Sequence, residues 1–178
     1  MREKILLRFG LAVLFLTNVS AAQNQRRMEF TVPAAPWTLT LPADNFELAQ
    51  KQLKPDGRNG YFHIADVKAL INLSMYIEPV KDCQTSRACR DMVWKMGNPA
   101  WVNPQNVKQS EIGDVSVLEF LIPTFQNQPI KQQNLYAEFV VEGFWVDLHI
   151  SKVLYKPEEH EVFQRIIKSI KFEPKTKH

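Results

Sequence analysis

Alternation of apolar and polar residues is the main pattern along this chain, and it predicts β-strands for most of its length. The pattern is strongest over residues 135–151, where a Glu142-Gly143 turn places two alternating runs opposite each other. A Gly113-Asp114 turn predicts a second hairpin over residues 106–122, followed by a polar loop over residues 125–133. The hairpin over residues 135–151 has eight apolar residues on one face. They form the pairs Val141 with Phe144, Phe139 with Val146, Ala137 with Leu148, and Leu135 with Ile150.

Two segments break the alternation and predict helices. Apolar residues recur at three- and four-residue spacings from Ser86 to Met96, and Gly97-Asn98-Pro99 ends this run. A second helix is expected from Pro157, because proline suits a first helical position and two glutamates follow it. The pattern therefore predicts an α+β fold, in which an antiparallel β-sheet is flanked by helices.

The first 22 residues have the parts of a secretory signal peptide. A basic start at residues 1–4 precedes a short apolar run, and small residues follow as far as Ala22. The apolar run is shorter than the about 20 residues that a membrane span requires, so we expect cleavage and no transmembrane segment afterwards. We predict a signal peptide over residues 1–22 and a single globular domain over residues 23–178, located in the periplasm or secreted.

The chain has two cysteines, Cys83 and Cys89, with five residues between them. In an oxidising compartment a close pair normally forms a disulfide. Redox-active pairs usually have a shorter spacing, and five intervening residues fit no common zinc-binding spacing. The sequence therefore predicts a structural disulfide between Cys83 and Cys89.

Composition and charge exclude several classes of protein. Of the 178 residues, 45% are hydrophobic, which favours a folded core over a disordered chain. The 22 basic and 19 acidic residues give a net charge of only +3, so no strongly basic surface for nucleic acid is expected. The sequence has no glycine-rich phosphate loop, no His-Glu-x-x-His motif and no nucleophile elbow, and we therefore predict no cofactor.

Three stretches of the chain share their order of apolar positions with a known superfamily. They are WTLTLP at residues 37–42 followed by FEL at 46–48, INLSMYIE at 71–78, and FQRIIKSIKF at 163–172. In these stretches the chain resembles the PsbP-like superfamily, which includes the photosystem II extrinsic protein, a Ran-binding import factor and bacterial DcrB-type exported proteins. The resemblance implies an antiparallel sheet with helices packed on it, and an accessory or binding role instead of catalysis. It brings no site residue with it.

The outward face of the 135–151 hairpin carries the candidate chemistry. Its register places Glu138 opposite Asp147, with His149 diagonal to Glu138. Two carboxylates and an imidazole could bind a divalent cation, but we favour the interpretation that both acids face water, partly neutralised by a nearby lysine. Asp147, His149 and Ser151 also have the residue types of a hydrolase triad. Ser151 lies in a regular strand without the sharp turn of a nucleophilic serine, so this triad is not favoured.

Two further side chains were considered as functional residues. His63 is interpreted as a hydrogen-bonded surface histidine, since no second ligand lies near it in the sequence. Trp101, in a loop bracketed by prolines, either packs under the first helix or anchors a partner.

The sequence as a whole predicts an exported, non-enzymatic accessory or binding protein. Its expected partner is an unidentified protein or small ligand of the cell envelope. The alternative is a metal-dependent or hydrolytic enzyme whose site comprises Glu138, Asp147 and His149 on the outward face of the hairpin.

Overall fold

The computed structural model describes residues 26–42, 44–96 and 104–175. The predicted signal peptide and Trp101 lie outside these residues, so the expectations for both stay predictions. The described strands are β1 (Arg27–Phe30), β2 (Trp37–Pro42), β3 (Glu47–Leu53), β4 (Gly60–Asp66), β5 (Ile71–Pro79), β6 (Gln105–Ile112), β7 (Val115–Phe125), β8 (Gln128–Val141), β9 (Phe144–Lys152) and β10 (Lys171–Pro174). The α-helices are α1 (Ser86–Met96) and α2 (His160–Ser169), and a 3-10 turn (Pro157–Glu159) precedes α2.

The strands form two antiparallel sheets. Seven strands make the larger sheet in the order β3-β4-β5-β9-β8-β7-β6, and β1-β2-β10 make the smaller one. The predicted α+β fold is thus confirmed, while the separation into two sheets was not predicted. The register of both hairpins is confirmed as well, with Phe139 opposite Val146 and Lys108 opposite Glu119.

The predicted polar loop over residues 125–133 is wrong. Strand β7 continues to Phe125 and β8 begins at Gln128, so the hairpin runs on through polar residues to a two-residue turn. Both turn residues, Gln126 and Asn127, have positive φ angles of 48° and 63°. Positive φ angles at both central residues are typical of a type I′ turn, whose twist matches that of the two strands it joins.

The main core lies between the two sheets. Trp37 of the smaller sheet is fully enclosed, and its Nε1 donates a hydrogen bond to the carbonyl oxygen of Val141 at 3.3 Å. Its ring also meets the ring of Phe172 edge-on, with 4.9 Å between the centroids. The inward residues of the 135–151 hairpin complete this core, and α2 adds Phe163 and Ile167. Apolar burial on this side fixes which face of the larger sheet points outward.

Helix α1 packs on the outward side of the larger sheet, against β7 and β8. Its first turn is capped by Thr85, whose Oγ1 accepts the N–H of Ala88 at 3.2 Å. The predicted disulfide joins Cys83 to Cys89, and both residues are buried. It connects the segment after β5 directly to the first turn of α1. In the described residues no helix is long and apolar enough to cross a membrane.

Removing the disulfide should destabilise the protein moderately. The bridge closes a short loop, with a sequence separation of 6, so the chain-entropy estimate is about 2 to 3 kcal/mol. We expect the Cys83→Ala/Cys89→Ala variant to lose about that much free energy of unfolding in urea titrations. Reduction of the wild type with a thiol is the matched control and should cause a similar loss. An unchanged unfolding midpoint in both would contradict the prediction.

Candidate functional site

The side of the larger sheet that faces away from the smaller sheet carries a row of polar side chains. We call this side the polar face. Residues on neighbouring strands lie directly opposite one another in this row. From β6 to β3 they are Glu111, Ser116, Glu138, Asp147, Tyr76, Tyr61 and Gln52. An adjacent row contains Tyr136, His149, Ser74 and His63. The polar face therefore joins the predicted candidate residues to side chains of β3, β4 and β5.

The polar face has two parts that differ in their access to solvent. The enclosed half comprises the outward side chains of β8 and β9, among them Asn134, Tyr136, Glu138, Trp145, Asp147 and His149. The open half comprises the outward side chains of β3, β4 and β5, namely Glu47, Gln50, Gln52, Tyr61, His63, Ala65, Asn72, Ser74, Tyr76 and Glu78. Tyr76 is an exposed aromatic residue of the open half, with 54% of its surface accessible.

Glu138 is buried and Asp147 is half-buried, so the prediction that both acids face water is wrong. Glu138 is 0% exposed, and its Oε2 accepts a hydrogen bond from Trp145 Nε1 at 2.6 Å. The Oε1 atom of Glu138 and the Oδ1 atom of Asp147 are enclosed and have no hydrogen-bond partner. No lysine pairs with either carboxyl in the described part of the chain. Glu138 is buried because α1 packs over β7 and β8.

Burial changes the protonation of this acid pair. Burial, with a smaller contribution from the nearby carboxyl of Glu78, raises the pKa of Asp147 to about 7. Burial also raises the pKa of Glu138 well above its ordinary value; the charge of Asp147 adds to this rise and the Trp145 hydrogen bond opposes it. A protonated carboxyl avoids the cost of a buried charge that has no hydrogen-bond partner. The pair therefore retains a proton in weakly acidic solution.

His149 is held in a neutral form beside the acids. Its ring stacks on Tyr136, with 4.2 Å between centroids and 8° between the planes. Its Nε2 lies 3.0 Å from Asn134 Oδ1, an oxygen that accepts, so Nε2 carries the hydrogen. Burial lowers the pKa of His149 to about 4 and raises that of Tyr136 to about 12. Both rings are therefore uncharged near neutral pH.

This geometry assembles neither the predicted alternative of a cation site at Glu138, Asp147 and His149 nor the hydrolase triad that Ser151 would complete. No group of three or more His, Cys, Asp or Glu side chains in the described ranges is arranged to hold a metal ion. His149 bonds to Asn134, and Ser151 lies in a regular strand opposite Asn72 and Asn134. No hydrogen bond joins Asp147, His149 and Ser151 among the described contacts. The residues share a face, as predicted, without forming a catalytic chain.

The titration of His149 tests this description directly. Because its folded-state pKa is depressed from 6.5 to about 4, the ring should stay neutral across pH 5 to 8. Its contribution to stability is present above pH 6.5 and is lost as the pH falls towards 4. We expect the imidazole NMR signals that disappear in His149→Gln to keep constant shifts over this range. A midpoint between pH 6 and 7 would contradict the burial of this ring.

Sequence reasoning missed Arg90, which ties α1 to the sheet. Its side chain is only 7% exposed and bonds Glu111 at 3.0 Å and Asp91 at 2.8 Å. Ser116 Oγ donates to the other oxygen of Glu111 at 2.6 Å. The helical spacing did place Arg90 beside the buried Cys89, but its partner on β6 is distant in sequence. His63 agrees with its prediction as a surface histidine, with Nε2 lying 3.3 Å from Asn72 Oδ1.

Comparisons with known proteins identify the fold. No protein-family model matches the sequence, and no curated protein matches it. The solution structure of cyanobacterial PsbP (CyanoP) from Synechocystis sp. PCC 6803 superimposes with a TM-score of 0.55 at 9% identity, covering 88% of this chain and 98% of that one. A crystal structure from Bacteroides thetaiotaomicron has a TM-score of 0.49 at 12% identity, covering 84% of this chain and 48% of that chain. The likeness to CyanoP confirms the predicted resemblance, and this chain therefore has a PsbP-like fold.

Proposed function

We propose that this protein is an exported, non-enzymatic accessory protein that acts by binding a protein or small ligand of the cell envelope. Export is supported by the signal-peptide pattern of residues 1–22 and by the Cys83–Cys89 disulfide, which needs an oxidising compartment. The PsbP-like resemblance implies an accessory role for proteins of this fold. Binding at the polar face is the role that its geometry favours.

One observation carries the proposal: Glu138 and His149, the acid and the base of the enclosed half, are bonded within the sheet. A general acid or base must reach a substrate proton within hydrogen-bonding distance. Glu138 is fully buried, and the Nε2 of His149 is committed to Asn134. The accessible side chains of the same face are mostly amides, hydroxyls and aromatic rings, which bind without reacting. The histidine and one carboxylate among them are hydrogen-bonded to asparagines, His63 to Asn72 and Glu78 to Asn59. Recognition, as opposed to turnover, is therefore assigned to the open half.

Site-specific crosslinking in the native envelope tests this function. A photoreactive amino acid at position 76 should crosslink to a discrete envelope component, because Tyr76 is the exposed centre of the open half. The same probe at Gln109, an exposed position on the opposite edge strand β6, is the control and should not. Intact mass measurement of the recovered protein should show loss of residues 1–22 and an oxidised cysteine pair. Equal crosslinking from both positions, or an unprocessed chain with free thiols, would overturn the proposal.

A further inference from the structure

The open half of the polar face has an unusual composition for an exposed sheet surface. Exposed strands usually carry many lysines, arginines and glutamates. Here no lysine or arginine points outward from β3, β4 or β5, and carboxylates occur only at the two ends, in Glu47 and Glu78. The remaining outward side chains are amides, hydroxyls, rings and one alanine. The surface is therefore largely uncharged but rich in hydrogen-bonding groups.

Two tyrosines form the aromatic part of this surface. Tyr61 and Tyr76 lie directly opposite each other on β4 and β5, with 4.7 Å between ring centroids and 41° between ring planes. Tyr76 is 54% exposed, so one aromatic face is available to a ligand. Tyrosine combines an apolar ring face with a polar hydroxyl, so an exposed tyrosine can both stack on a ligand and form a hydrogen bond with it.

The tyrosines stand in a concavity of about 760 Å³ at the ends of β3, β4 and β5. Gln52 lies beside Tyr61 on the neighbouring strand β3, and Glu78 follows Tyr76 along β5. Lys51 and Lys54 also line the concavity, so its lining carries charges of both signs. Glu78 is held in place by a hydrogen bond from Asn59 Nδ2 to its Oε2 at 3.1 Å. The second carboxylate oxygen remains able to accept from a ligand hydroxyl. The volume lies within the range of sites that hold small molecules.

We propose that this concavity binds a neutral glycan chain, stacked on Tyr76 and hydrogen-bonded by Gln52 and Glu78. The proposal rests on the binding function above and names its ligand class. A sugar ring presents an apolar C–H face, which suits an aromatic ring, and a rim of hydroxyls that both donate and accept. Amides match such hydroxyls because they also do both. A nucleic acid would require a basic surface, and a protein interface would require a larger apolar centre, neither of which the open half provides.

The test uses three neutral probes: N-acetylglucosamine tetramer, and glucose tetramers in β-1,4 and α-1,4 linkage. Titration of the purified full-length mature protein, followed by NMR and calorimetry, should give saturable binding of at least one tetramer, with shift changes confined to β3, β4 and β5. Tyr76→Ala should weaken that binding at least about tenfold, because it removes the stacking ring. Tyr76→Phe should retain most of the affinity. Gln52→Ala should weaken it, and the matched control Gln109→Ala should not.

Two outcomes would overturn the glycan assignment. These are no binding of any tetramer at millimolar concentration, and binding that survives Tyr76→Ala in a folded protein. Thermal unfolding of each variant establishes that it is folded. The envelope crosslink from position 76 distinguishes failure of the glycan proposal from failure of the binding function on which it rests. If the crosslink persists while the tetramers fail, the binding function stands and the ligand class is wrong; if both fail, both proposals fall.

Discussion

Replacing Asp147 with Asn is expected to raise the free energy of unfolding by about 1 to 3 kcal/mol at pH 8. The pKa of Asp147 is raised from 3.8 to about 7 in the folded protein, by burial and by Glu78. The folded state therefore binds more protons than the unfolded state between these values, so wild-type stability falls as the pH rises from about 4 to about 7. Asparagine keeps the shape and removes the buried charge. For an exposed pair, the gain would be only about 0.2 to 1 kcal/mol.

The pH dependence of this gain distinguishes burial from general surface effects. The difference between Asp147→Asn and the wild type should be small near pH 4, grow towards pH 7 and then level off. The titration of His149 changes the free energy of unfolding in the opposite direction with pH. Because His149 is present in both proteins, its contribution cancels in their difference. Asp114→Asn, in the exposed turn between β6 and β7, is the matched control and should change little. Urea unfolding at several pH values measures the effect. Destabilisation by Asp147→Asn that chelator treatment of the wild type reproduces would instead indicate a bound cation.

Truncation of Phe139 should produce the largest loss of stability, about 3 to 5 kcal/mol for Phe139→Ala. Phe139 is 6% exposed and lies between the two sheets, with its ring centroid 5.5 Å from that of Phe172. Its removal would leave a cavity where the larger sheet meets β10. Phe125→Ala, at a side chain 40% exposed beside the β7–β8 turn, is the matched control and should cost far less. Equal losses in the two variants, measured by urea unfolding, would contradict the location of the core.

The predictions from sequence were best where structure is determined locally. The β8–β9 register follows from a two-residue turn and from apolar residues that must all face one side. The same reasoning placed Glu138 opposite Asp147 and gave the limits of α1. Turn geometry also explains one error, because Gln126-Asn127 makes a tight turn without the glycine that usually marks one.

Long-range contacts were what the sequence could not provide. Strand β5 pairs with β9, which brings Tyr76 beside Asp147 although the two are distant along the chain. Helix α1 then packs over β7 and β8. These two contacts bury Glu138 and enclose Oδ1 of Asp147, so alternation alone gave the correct face and the wrong solvent access. The joining of β1, β2 and β10 into a second sheet depends equally on residues far apart in sequence.

Glu138 and Asp147 form an enclosed acid pair that retains a proton in weakly acidic solution. Infrared spectroscopy measures this most directly, since a protonated carboxyl and a carboxylate have different C=O stretches. At pH 6, below the raised pKa of Asp147 of about 7, the wild type should show a protonated-carboxyl band that Glu138→Gln/Asp147→Asn lacks. Carboxyls with ordinary pKa values would be ionised at that pH. Identical spectra in this region would mean that both acids are charged in the folded protein, and would contradict the account.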